Sequence, residues 1–356
     1  MPFQSPSIGL LRLSALGDVT HVVPLVRTLQ AAWPQANLHW IIDKAGHKLL
    51  DGLPGVTFHT YDKKTGLAGM RALRAELVRE VGRFDALLQL QLSMRANVLS
   101  GFIPAHRRIG YDRARSKELH GLFVNERIPE VAGGHVLDAI GRFCEPLGLK
   151  QETVSWDLAT PPEAHAWAAA QWEDDGRRVL AISPCSSHER RNWLAERYAA
   201  LADHAANRGW RVVLVGGRSD LERRVSDQIL AAMQQPALDL VGRDTLKQLP
   251  ALLARADLLV TPDSGPMHIA NAVGTKVLGL HAATDPNRSG PYSDRRYCVD
   301  RYADAAQRFV GKPASALRWG TKIENEGVME LITVDDAIAA FERYAADHPH
   351  GHRHGG

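Results

Sequence analysis

Short apolar runs alternate along the chain with longer stretches of helical period. Residues 8–13, IGLLRL, read as a buried strand. Residues 19–33, VTHVVPLVRTLQAAW, read as one helix with an apolar stripe through Val22, Val23, Leu25, Val26 and Leu29. Residues 38–43, 56–61 and 84–90 are strand-like, and residues 69–81 again have helical period. This βαβα rhythm predicts a parallel sheet covered by helices on both faces. Between Val154 and Gly176 the pattern lapses into Trp156, Pro161, Pro162 and a polar, Ala-rich helix, which reads as a connector. It then restarts, with strands at 178–184, 211–217, 238–242, 257–263 and 276–282. Helices are expected at 194–209, 219–233 and 245–256, with a short one between the last two strands. A final amphipathic segment, 334–346, predicts a terminal helix whose packing partner periodicity does not identify.

The predicted fold class is therefore α/β, with two Rossmann-like doubly wound domains and a cleft between them. Ligands are expected at the carboxyl ends of the strands. The expected divisions are 1–165, 166–332, a helix at 333–347, and a His- and Gly-rich tail at 348–356 expected to be disordered.

Composition narrows the function classes. At 356 residues the chain exceeds one ordinary core. A net charge of +3 is too weak to argue for nucleic acid, and it suits a protein that binds phosphates or visits an anionic surface. Cys144, Cys185 and Cys298 form neither a disulfide framework nor a zinc pattern, which suggests a reducing cytoplasm. The opening residues carry no secretory leader pattern, and no run reaches the length of a membrane span.

Four βα junctions carry candidate chemistry. In the first, R12-L-S-A-L-G-D18, Asp18 is expected at a helix start. It is either an N-cap accepting a first-turn amide, or a carboxylate that takes a proton from an acceptor hydroxyl. The loop lacks GxGxxG, which argues against a dinucleotide cofactor. In the second, S183-P-C-S-S-H-E-R-R191, Ser186 and Ser187 followed by arginines can wrap a diphosphate. Arg190 reads better as solvated, and Arg191, near a packing Trp193, as functional. In the third, Gly216 and Gly217 permit close backbone approach. Glu222 beside them either accepts from ribose hydroxyls or merely suits the helix dipole.

The fourth junction is the strongest, T261-P-D-S-G-P-M-H268. A buried strand ends, Asp263, Ser264 and Gly265 turn the chain, and Pro266 occupies a first-turn position where its missing N–H costs nothing. Free amides there form an anion site, to which His268 can add a hydrogen bond or charge. The plain alternative is a capped helix with a surface His. Residues 284–292, TDPNRSGPY, add a polar loop at the same sheet edge.

In these pieces, RLSALGDVTHVVP, SPCSSHERRNW, GGRSDLE and TPDSGPMHIANAVGTKVLGLHAATDP, the chain resembles glycosyltransferase family nine, the lipopolysaccharide heptosyltransferases. The pieces fall in family order over roughly residues 7–345. The resemblance implies a GT-B arrangement, with an N-terminal acceptor half and a C-terminal half for the donor, an ADP-sugar. It implies inversion at the anomeric carbon with Asp18 as base, and no obligatory metal or cofactor. The phosphate-binding hydroxyls fall on Ser186 and Ser187, the phosphate-binding cation on Arg191, and the ribose-binding acid on Glu222. The helix-start site falls on Asp263, Ser264, Gly265, Pro266, Met267 and His268. The implied acceptor is a lipid A–core glycolipid at the inner face of the cytoplasmic membrane, with peripheral association.

Basic residues of the N-terminal half, Arg71, Arg74, Arg95, Arg107, Arg108, Arg113, Arg115 and Lys117, either form a surface for that anionic glycolipid or are scattered solvated charge. The stretch W319-G-T-K-I-E-N-E-G-V-M-E-L-I332 departs from the family pattern and suggests a separate branch. Competing readings are a nucleotide-sugar epimerase of the same architecture and a non-catalytic nucleotide-sugar binder.

Overall fold

The computed structural model describes residues 5–349. Contacts divide the chain after Ala159 into two units, six residues before the expected division.

The first unit runs β1 (Ser7–Leu11), α1 (Leu16–Thr20), α2 (Val23–Ala32), β2 (Asn37–Ile42), α3 (Lys44–Leu50), β3 (Val56–Thr60), α4 (Gly66–Glu80), β4 (Phe84–Gln89), α5 (Met94–Phe102), β5 (Ala105–Gly110), β6 (Glu126–Arg127) and α6 (Val136–Gly141). Its six strands are all parallel, in the order β3-β2-β1-β4-β5-β6. β1 is central, with Leu10 in register with Trp40 on one side and Leu88 on the other. Both faces of β1 are buried, which is why its sequence is continuously apolar rather than alternating.

The helix expected at 19–33 is two helices, α1 and α2, and the first begins three residues earlier than expected. Pro24 is the cause: it lacks an N–H and its ring excludes the carbonyl four residues back, so it is accommodated in the first turn of a new helix. Val22, Val23, Leu25, Val26 and Leu29 are fully buried, so the apolar stripe is the core face.

The second unit runs α7 (Pro162–Ala169), β7 (Val179–Ile182), α8 (Ala195–Asn207), β8 (Arg211–Leu214), α9 (Asp220–Ala232), β9 (Leu238–Asp239), α10 (Gln248–Ala254), β10 (Leu258–Pro262), α11 (Gly265–Ala272), β11 (Lys276–His281), α12 (Pro286–Ser289), β12 (Val299–Asp300), α13 (Tyr302–Ala305) and α14 (Val334–Asp347). Its parallel sheet has the order β12-β11-β10-β7-β8-β9. Both units thus repeat one doubly wound topology, in which the chain reverses direction across the sheet between the first and fourth strands.

The terminal helix α14 buries Ala337, Ala340, Phe341 and Tyr344 in the core of the second unit. Trp210 meets Phe341 edge-on, and Tyr344 donates to the Asp257 carbonyl at 2.8 Å. His348, assigned from sequence to the disordered tail, stacks on Tyr344 at 4.6 Å between ring centroids. The rest of that tail from 350 lies outside the described residues.

Candidate functional site

In a doubly wound sheet the loops after the two strands flanking the reversal diverge to opposite faces and leave a crevice at their carboxyl ends. In the second unit those strands are β7 and β10, joined where Ser183 N–H donates to Val260 O at 3.0 Å. The loop after β7 carries Ser186, whose amide is held by Asn192 Oδ1 at 2.7 Å and whose hydroxyl donates to His188 O at 2.9 Å. Arg191 follows in a short 3₁₀ turn and is buried. Its Nη2 donates to Ser187 Oγ at 2.8 Å, and its Nε lies 3.3 Å from Glu324 Oε1. Trp193 anchors the turn from behind, buried and donating to Ile332 O at 2.9 Å. Arg190, expected to be solvated, is exposed yet donates to Glu324 O at 3.1 Å.

The loop after β10 turns into α11. Ser264 is the N-cap residue and Pro266 sits in the first turn. The Ser264 hydroxyl pairs with Thr261 Oγ1 at 2.8 Å instead of capping, so it leaves the first-turn amides uncovered. Those amides and the helix dipole make an electropositive end. His268 is buried with Nε2 3.7 Å from Asp263 Oδ1, so it is not the surface His of the plain alternative. Ser289 Oγ donates to Asp263 Oδ2 at 3.2 Å. Burial by itself raises the Asp263 carboxyl, but His268, His281 and a hydrogen bond from Thr284 outweigh it and hold the group well below the usual carboxylate range. The Met267 side chain is fully buried, which leaves only its backbone to face a ligand.

Glu222 closes a capping box on α9. Its carboxylate accepts from Gly217 N–H at 2.6 Å and Ser219 Oγ–H at 2.6 Å. A Cβ on Gly217 would stand 2.8 Å from Glu222 Oε2, so a side chain there would push the carboxylate out of its present position. The next loop returns alongside, with Gly242 N–H donating to Gly216 O at 2.9 Å. In it, burial pushes the Asp244 carboxyl up to about 6, against the pull of Arg218 and with the help of Glu222.

In the first unit the reversal lies between β1 and β4. Asp18 is the third residue of α1, not its N-cap; Ala15 holds that position. The Asp18 carboxylate accepts from Ala15 N–H at 3.1 Å and pairs with Arg12 Nη2 at 2.7 Å. Arg12 is itself buried and also donates to Leu90 O at the end of β4. Gln91 Oε1 accepts from Leu13 N–H at 2.7 Å, tying the two loops together. Beside them is a pocket of about 280 Å³ lined by Leu13, Ser14, Asp43, Lys44, Tyr61, Gln91, Ser93 and Arg95 among others.

The chain thus has two matching reversals, one with a buried cation and an uncapped helix start, the other with a carboxylate. Residues 70–317 match the model of glycosyltransferase family 9 (heptosyltransferase). The chain belongs to this family. It is 38% identical over 337 residues to the lipopolysaccharide core heptosyltransferase OpsX of Haemophilus influenzae, covering 95% of this chain and 96% of that one. Its fold is similar to that of a family 9 glycosyltransferase from Veillonella parvula, with a TM-score of 0.79 and 21% identity over 98% and 99% of the two chains. It is likewise similar to E. coli ADP-heptose lipopolysaccharide heptosyltransferase II, with a TM-score of 0.72 and 21% identity over 96% and 99%. The fold class expected from the resemblance, two Rossmann-like halves, is thereby established.

For this family 9 glycosyltransferase the structure brings Ser187 and Arg191 together, and Asp263 and His268 together. It also adds residues that sequence reasoning missed. Nothing local in the Asp18 motif marks the partner of Arg12, and Gln91 carries no local signal, because only the sheet order brings the end of β4 beside β1. Glu324 lies in the segment that departs from the family pattern, beyond the family-matched span.

The basic set of the first unit is not one free surface. Arg115 is buried in an ion pair with Asp112, Arg107 forms a bidentate pair with Glu126 at 2.8 and 2.9 Å, and Arg108 and Arg74 donate to main-chain carbonyls. Their charges are occupied in holding loops; Arg74 is exposed nonetheless, as are Arg71, Arg95, Arg113 and Lys117.

One group among the described residues has metal-ligand chemistry: His59, Glu76 and Glu80. His59 is already satisfied, with Nδ1 2.6 Å from Glu76 and Nε2 3.0 Å from His39. All three cysteines are free, and burial pushes each thiol up to about 12, which makes them poor nucleophiles. No helix among the described residues is long and apolar enough to cross a membrane.

Proposed function

We propose that the protein moves a heptose or closely related sugar from an ADP-sugar to a lipopolysaccharide core acceptor, inverting the anomeric carbon, with Asp18 as the general base. The observation that carries the donor half is the second unit's reversal point. There a buried Arg191 and the uncovered amides of α11 offer fixed positive charge for a diphosphate. Relatives named as lipopolysaccharide and ADP-heptose enzymes support the sugar and acceptor class.

In this reading Ser186, Ser187, Arg191 and the Asp263–His268 turn hold the diphosphate, and Glu222 accepts from the ribose. Arg191 and the helix start stabilise charge that builds on the departing ADP. The acceptor hydroxyl is a poor nucleophile at neutral pH, and Asp18 removes its proton as the new bond forms. Attack opposite the leaving group inverts the centre and needs one such base. The acceptor binds in the first unit, at the pocket beside the Asp18 loop, and the enzyme works at the cytoplasmic face of the membrane.

Incubation with a panel of nucleotide sugars, with and without heptose-free lipid A–Kdo acceptor, followed by mass spectrometry, tests the proposal. Acceptor-dependent gain of one heptose mass from the ADP-sugar is expected. Donor turnover that ignores the acceptor would replace the transferase reading with an epimerase. Nucleotide binding with no chemistry would leave only a binder.

A further inference from the structure

The segment from Trp319 to Glu324 is firmly built. Ile323 is buried and its N–H donates to Ala283 O at 2.8 Å, just past the end of β11. Tyr302 Oη donates to Thr321 O at 3.0 Å. The Arg288 guanidinium lies over the Trp319 ring at 4.5 Å. Gly320 has a φ of +83°, and a Cβ there would come within 3.1 Å of Arg288 Nε. The Trp-Gly pair thus makes a seat for Arg288, whose Nε is buried without a hydrogen-bond partner. At its other end the segment reaches the loop after β7. Glu324 Oε1 is 3.3 Å from Arg191 Nε, Glu324 Oε2 is 3.7 Å from His188 Nε2, and the Glu324 carbonyl accepts from Arg190.

Lys322 sits between these two anchored ends, with its side chain on the exposed side. We infer that Lys322 is a further donor-binding residue that contacts the diphosphate alongside Arg191, with Arg288 as the neighbouring positive charge. Like charges close together repel, and an anion bound among them relieves that repulsion. Lys322 keeps solvent access, yet partial desolvation of its ammonium, together with Arg191 and Arg288, holds it below its ordinary range, although Asp263 and Glu324 act the other way. Arg191, Arg288 and Lys322 stand against the two carboxylates Asp263 and Glu324, an excess of one positive charge. A multiply charged anion with several terminal oxygens complements that excess, and a lysine supplies a compact point charge to one of them. In the reaction, the acceptor oxygen bonds to the anomeric carbon while the carbon–oxygen bond to the diphosphate breaks, its electron pair leaving on the phosphate oxygen. Lys322 and Arg191 stabilise that departing charge.

The inference rests on the donor reading above. The test is titration calorimetry of the full chain with ADP and with adenosine, on wild type, Lys322→Met and Lys322→Arg, with kcat on the same preparations. Lys322→Met should weaken ADP binding about tenfold or more and lower kcat, leaving adenosine affinity and melting temperature nearly unchanged. Lys322→Arg should recover most of the ADP affinity. ADP affinity and kcat within about twofold of wild type in Lys322→Met would overturn the inference alone, as would equal losses for ADP and adenosine. A wild type that binds neither ADP nor any other nucleoside diphosphate would instead overturn the donor reading on which it rests.

Discussion

Arg12 Nη2 lies 2.7 Å from Asp18 Oδ2, and the arginine, not the aspartate, is the more buried of the two. The guanidinium is fixed from behind by the Leu90 carbonyl, so it orients the carboxylate rather than the reverse. Asp18 therefore has a defined direction in the first turn of α1.

Asp18→Asn removes the proposed base while keeping shape and one acceptor oxygen for Ala15 and Arg12. Turnover with saturating acceptor should fall roughly 10²–10⁴-fold, the usual reach of general-base catalysis. Because Arg12 loses its counter-charge, stability should fall by about 1 kcal/mol. ADP affinity should be kept. Near-normal turnover would refute the base assignment, and it is read together with melting temperature and ADP affinity on one preparation.

Arg191→Ala should weaken ADP binding and catalysis together, with a loss on the order of 2–4 kcal/mol in kcat/KM. The variant also frees Glu324 and Ser187, so a control matters. Arg191→Lys keeps the charge without the bidentate geometry and should fall between the two. Wild-type ADP affinity and rate in Arg191→Ala would make the residue a purely structural link to Glu324.

Asp244 offers a pH signature. Its folded carboxyl is raised to about 6, mainly by burial, above the ordinary value of an unfolded Asp. The folded state therefore holds this proton more tightly than the unfolded chain. The resulting stability is fully present below the unfolded pKa and is lost as pH rises through about 6. Asn mimics the neutral acid, so Asp244→Asn should raise the melting temperature at pH 7.5 and have much less effect at pH 4. An equal shift at both values would show that ionisation of Asp244 is not the source.

Activity should survive EDTA, because the proposed phosphate site relies on Arg191 and helix amides for positive charge. Loss of turnover in EDTA with recovery on adding Mg²⁺ would contradict this.

Membrane association should be weak and salt-sensitive, since of the basic set only Arg71, Arg74, Arg95, Arg113 and Lys117 are exposed, and Arg74 is already bonded to a main-chain carbonyl. Flotation with acceptor-containing liposomes at low and physiological salt measures it. Absence of binding at low salt would remove the membrane-surface reading.

Hydrophobic period alone determined the two βα series, because strand and helix spacing is a local property of the chain. The turn from Thr261 to His268 was equally legible, since Gly and Pro punctuate a helix start wherever they stand. The break at Pro24 shows where local reading erred: the apolar stripe runs on across a point that the backbone hydrogen bonds cannot cross. Only the tertiary structure decided which charges meet. Arg190 and Glu324 are 134 positions apart, and the sheet order brings their loops to the same end of the second unit. The same folding placed Arg107, Arg108 and Arg115 in structural bonds, although in sequence they match the exposed Arg113. A charged side chain carries no period that reports its partner. Its role is set by which strand ends lie next to each other, and that depends on the order of the strands in the sheet.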